Sequence, residues 1–239
     1  MVRPLRPIRA TPRVGWEGTD RPFVLLFPKV SSEAPVQVDK RRQRGERTRQ
    51  AILSHAARLA SAEGLEAVSL QRLAGDLGIS KSGLFAHFGS KEELQLATVE
   101  EAAWVFTLEV LKPGLHEPAG VGRVTALCEA FLSYVERGVF PGGCFFEAAV
   151  AEFDSRPGAV RDSVVEKRRY WAASLARAVR EAQAAGEIVA GVDAEQLAWE
   201  LNCILIGANN SSVTDGGDVA FQRARRAIRD RLQAVAVKD

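Results

Sequence analysis

The sequence predicts an all-α fold, a small three-helix unit followed by a larger helical body. Three observations predict it. Apolar residues recur at i, i+3, i+4 and i+7 in segment after segment, the stripe of a buried helix face. Gly and Pro fall between those segments, where helices end. No stretch alternates as a strand does, and no internal repeat is visible.

Residues 1–38 stand apart: they hold six of the ten prolines and no helical periodicity. They read as a disordered arm, or as the product of a start-site choice, with translation beginning near Val36 or Val38. Residues 40–49 then carry six cations against the single Glu46. The whole chain has a net charge of only +2, so its basic character is local. A local basic patch is the footprint of a site-specific nucleic-acid binder rather than of a general polyanion binder.

The first helix is expected over residues 46–63, with Ile52, Ala56, Leu59 and Ala60 inward and Gly64 ending it. Residues 69–88 form two short helices around a tight turn. Ser69 caps the first, whose buried stripe is Leu70, Leu73, Ala74 and Leu77. Gly78 ends it and Ser80 caps the second, with Lys81, Ser82 and Gly83 in its first turn. Leu84 and Phe88 are spaced to pack back onto the first. Ser90 and Glu93 form a capping box, which puts Lys91 at a helix N-terminus suited to a phosphate. Two helices joined by a Gly-containing turn match the DNA-binding helix-turn-helix, whose second helix enters the major groove.

Thr48, Ile52, Gly64, Ser69, Leu73-Ala74, Leu77-Gly78-Ile79-Ser80, Gly83-Leu84-Phe85, His87-Phe88 and Ser90-Lys91-Glu92 together resemble the tetracycline-repressor (TetR) family over about residues 46–95. The resemblance implies an N-terminal helix-turn-helix DNA-binding domain and a C-terminal helical ligand-binding and dimerisation domain, here 39–95 and 96–239. It implies that Lys81, Ser82 and Gly83 face bases. It also implies that Arg47, Ser69, Arg72, Ser80, Phe85, His87 and Lys91 complete the DNA contact. The family usually has Tyr where this chain has Phe85, so a hydroxyl given to a phosphate is missing.

A long helix from residue 90 to about 111 follows, with Leu94, Ala97, Glu101, Val105, Leu108 and Leu111 at helical spacing. Pro113, Gly114, Pro118 and Gly120 are expected to break it. Further helices are predicted over 121–137, 144–153, from Pro157 to about 185, 193–213 and 219–235. The last two each carry one apolar stripe, and the resemblance implies that they pair with a second copy. Trp104, Phe106, Phe131, Tyr134, Phe145, Phe146, Tyr170 and Trp171 fall in the middle helices. Pockets for small molecules are mostly apolar and aromatic. Trp104, Phe131, Tyr134, Phe145, Tyr170 and Trp171 are therefore the candidate lining for an apolar or aromatic effector.

Cys128, Cys144 and Cys203 are far apart and form no metal or disulfide pattern. That fits a reducing cytoplasm, with no metal and no cofactor expected. No apolar run reaches a membrane span. There is no G-x-S-x-G, phosphate loop, H-E-x-x-H or glycine fingerprint, so no enzyme is expected. The function expected is a homodimeric regulator, a repressor on a double-stranded palindromic operator released by a small molecule. Alternatives are the same fold governed by a protein partner and an enzyme on a helical scaffold.

Overall fold

The computed structural model describes residues 40–216 and 219–238. The expectations for residues 1–38 lie outside the described residues. Helix α1 (Lys40–Glu63) starts within the basic run, not at Glu46. Lys, Arg and Gln are good helix formers, and Gly45 alone weakens the added turns. Its inward line is Ile52, Ala56, Leu59 and Ala60, all buried. At Gly64 the backbone turns to φ 92° and the helix ends. A 3-10 turn, Leu65–Ala67, leads to α2 (Leu70–Leu77) and α3 (Lys81–Phe85).

Beyond α3, α4 (Lys91–Phe106) runs into a π turn, Thr107–Leu111, and then α5 (Lys112–His116). Pro113 therefore does not stop the helix. In the π turn the Lys112 N–H reaches the Thr107 carbonyl, five residues back. The wider turn relieves the clash a proline ring makes with the carbonyl four residues before it. The buried line is Leu94, Thr98, Ala102, Phe106 and Val110. Leu108, expected inward, is 40% exposed, because it lies two residues past the inward Phe106, about half a turn around the helix.

The remaining helices are α6 (Val121–Glu136), α7 (Phe145–Phe153), α8 (Ala159–Ala184), α9 (Ala194–Thr214) and α10 (Val219–Val235). Helices α5 and α6 cross closely at Gly114, where a Cβ would lie 2.4 Å from Leu127 Cδ2. Helix α8 packs on α4, α6, α7 and α9, and α10 lies against α9 and α6. Arg225 joins α10 to Glu129 and Glu136 of α6. The Arg231–Glu200 pair joins α10 to α9. Among the described residues there is no strand, and the one extended pairing is an isolated bridge between Ile188 and Ala236. The architecture is all-α, a helix-turn-helix head on a helical body. No described helix is long and apolar enough to cross a membrane.

Candidate nucleic-acid interface and effector core

The two-helix head is built by its caps. Ser69 Oγ accepts the Arg72 N–H at 3.2 Å. Gly78, at φ 63°, lets the Ile79 N–H reach the Ala74 carbonyl at 3.1 Å, the six-to-one bond of a Schellman ending. Ser80 Oγ accepts the Gly83 N–H at 3.2 Å. A Cβ on Gly83 would sit 3.1 Å from that same oxygen, so the glycine protects the cap as well as opening the face.

One side of α3 is locked: Leu84 and Phe88 are buried, and the Arg49 guanidinium lies 4.7 Å over the Phe88 ring. The opposite side exposes Lys81, Ser82 and Phe85, the last at 47%. His87 is half-buried beside Phe88. Arg47 is exposed on α1, and neither it nor Lys81 holds an ion pair among the described residues.

The structure gives two of the expected phosphate contacts protein partners. Arg72 makes a two-pronged pair with Glu63 at 3.0 Å and bonds Asp76, which also meets His55 Nε2 at 3.1 Å. His55 and then Arg72 hold the Asp76 carboxyl below its usual range. Lys91 Nζ donates to Glu66 Oε2 at 2.8 Å, and Lys91, with Gln95, keeps the Glu66 carboxyl low. The capping box closes with a shift: Ser90 Oγ accepts from Glu93 N, but Glu93 reaches back to Gly89 N rather than to Ser90 N.

In the body, Phe106 is the hub of an aromatic cluster. Its ring meets Trp171 at 5.3 Å, Tyr134 at 5.7 Å, Phe146 at 6.0 Å and Phe131 at 6.2 Å, each edge-on. Phe131 stacks on Trp171 at 5.9 Å, and Phe145 joins through Phe146 at 5.3 Å. Phe140, which periodicity did not single out because it lies in a turn, links Tyr134 to Phe145. Trp104 does not belong: it is 41% exposed. Tyr170 is half-buried and has no ring partner among the described residues.

The buried Tyr134 hydroxyl has no hydrogen-bond partner among the described residues, although the Cys144 thiol is beside it. Burial pushes its pKa well above the ordinary tyrosine value. Trp171 Nε1 donates to Asn202 Oδ1 at 2.8 Å. Burial also raises the Glu147 carboxyl, a shift that Arg168 at 3.3 Å partly offsets. No three His, Cys, Asp or Glu side chains among the described residues are placed to hold a metal ion. On the outer face, Trp199, Val213 and Val219 are 62%, 53% and 56% exposed, with Cys203 exposed among them.

Residues 52–98 match the bacterial regulatory proteins of the tetR family, and residues 120–228 match the tetracyclin repressor-like C-terminal domain. The chain belongs to the TetR family. A TetR transcriptional regulator from Chloroflexus aurantiacus J-10-FL is similar at 25% identity and a TM-score of 0.76, over 81% of this chain and 98% of that one. A structure from Saccharomonospora viridis in complex with choline shares the fold at 23% identity and TM-score 0.69, over 81% of this chain and all (100%) of that one. AibR, solved with isovaleryl coenzyme A and operator DNA, shares it at 24% and 0.59, over 75% and 95% of the two chains. A comparison with curated proteins gave no match. This TetR-family chain is a helix-turn-helix, DNA-binding transcription regulator.

Proposed function

We propose that the protein is a cytoplasmic, dimeric repressor that leaves a near-palindromic operator when an apolar or aromatic small molecule enters the aromatic core. The observation that carries this reading is the exposed face of α3. Lys81, Ser82 and Phe85 project from a helix whose other side is fixed by Leu84 and Phe88. In this reading Lys81 and Ser82 face base edges, with Gly83 admitting the duplex. Arg47, Ser69 and His87 contact the backbone, which sets position rather than sequence. Arg72 and Lys91 join them by exchanging protein carboxylates for phosphate. Their ion pairs are exposed, and solvent and salt screen such pairs so that little holds them together.

The exposed apolar residues of α9 and α10 support a two-fold pairing of copies. Such a dimer sets the two α3 helices roughly 34–36 Å apart, one turn of the duplex. The core rings touch one another, so an effector must displace rings and must bind the released form better than the DNA-bound form. The same closed packing favours a second reading, control by a protein partner. Two related folds hold small molecules, choline in one and isovaleryl coenzyme A in AibR, which supports the first.

Genomic binding-site selection with purified protein tests the proposal. One enriched palindrome is expected, and a compound that releases the protein from it separates effector control from partner control. A folded dimer that enriches no site would overturn the reading.

A further inference from the structure

Helix α7 grips the DNA-binding head from both of its ends. Just before it, the Gly142 N–H donates to Ser61 Oγ at 3.3 Å and Arg58 Nη1 donates to the Val139 carbonyl at 3.0 Å. The approach is close: a Cβ on Gly142 would lie 1.8 Å from the Ser61 carbonyl oxygen. Near its far end, the Glu152 carboxylate accepts the Leu65 N–H at 2.6 Å and the Glu66 N–H at 3.0 Å. Those two N–H groups begin the 3-10 turn that delivers the chain to α2. Gly64 fits the arrangement, since a Cβ there would stand 3.1 Å from the same carboxylate.

We propose that Glu152 is a positioning residue for DNA binding: its carboxylate fixes the angle at which the two-helix head leaves α1. The inference rests on the DNA-reading role of α3 given above. The chain from α1 to α2 turns at Gly64, a positive-φ residue with no side chain to brace it. Two adjacent N–H groups on one carboxylate supply the brace, and bonds to a charged acceptor are the stronger kind. The brace is carried by the body, not by the head. The same helix puts Phe145 and Phe146 into the aromatic cluster, so moving those rings moves the carboxylate.

The test uses the full chain with Glu152→Ala and Glu152→Gln. Operator affinity is measured on the fragment selected by the wild type. Head spacing is measured between nitroxides on an Ala86→Cys, Cys203→Ser background, one label per protomer. Glu152→Ala should broaden the distance distribution and weaken operator binding by about tenfold or more, the loss expected for charged hydrogen bonds. Glu152→Gln, which keeps one acceptor oxygen, should fall between it and the wild type. An unchanged distance distribution with affinity within about twofold, well under one such bond, would overturn the proposal. If the alanine variant does not fold, the glutamine variant carries the same decision. Should the wild type select no operator, DNA reading fails while the label distances still test positioning.

Discussion

At the scale of single residues, the head divides into side chains that build it and side chains that face outward. Lys81 is exposed and holds no ion pair among the described residues, so Lys81→Ala should lower specific binding more than binding to random DNA. Equal losses on both would assign Lys81 to the backbone. Phe85 stands exposed where the family places a tyrosine. Phe85→Tyr should therefore raise affinity on all sequences alike, by about 1 kcal/mol for one added hydrogen bond. A gain confined to one base pair would contradict that. Glu66 gives a pH dependence. Lys91 holds its carboxyl below the ordinary 4.5, so the stability it lends is present above that value and is lost as pH falls through the depressed one. Melting curves of wild type and Glu66→Gln should differ near neutrality and converge in acid. The caps Ser69, Ser80 and Ser90 were legible because a cap bonds within three residues of itself. Glu66 and Glu152 were not, because their partners lie 25 and 86 or 87 residues away and no local pattern marks them.

At the scale of elements, periodicity puts the last helix at its observed ends and the four before it within about two residues, but not the start of α1 or the run of helix through Pro113. Two departures have physical causes. Helix α1 extends through the basic run, because charged, straight side chains are good helix formers where nothing competes for them. Trp104, a candidate for the effector lining, stands apart from the aromatic cluster for a geometric reason. It lies two residues before Phe106, about 200° around an α-helix, so the two rings cannot face the same way. Phe106 faces inward and Trp104 outward. The crossing of α5 and α6 offers a direct check. Gly114→Ala places a methyl 2.4 Å from Leu127 Cδ2 and should cost about 1–3 kcal/mol, read as a lower Tm. An unchanged Tm would mean that the crossing is looser than described.

At the scale of the whole molecule, the exposed faces of α9 and α10 make oligomeric state a chemical observable. Burial raises the Cys128 and Cys144 thiols to about 12 and keeps them unreactive, whereas Cys203 is exposed on α9. In native protein one thiol per chain should react with a maleimide, and its rate should fall as protein concentration rises and copies pair. A rate independent of concentration would place the dimer contact elsewhere. The two-part layout was legible because the motif over 69–88 and the apolar stripes are periodic. The state of the aromatic core was not, because composition shows that rings are present and only packing shows that they touch.

The π turn at 107–111 has a consequence for how such a chain can change length. It holds one residue more than an α-helix needs for the same rise. A relative that runs straight through this point would align with the chain only across a one-residue gap between Ala103 and Lys112. Deleting Leu108, whose side chain points outward, would close that gap and leave Gly114 in register with Leu127. It would also set the Pro113 ring against an ordinary α-helical carbonyl. Removing the extra residue alone therefore takes away the room that the wider turn gives the proline ring.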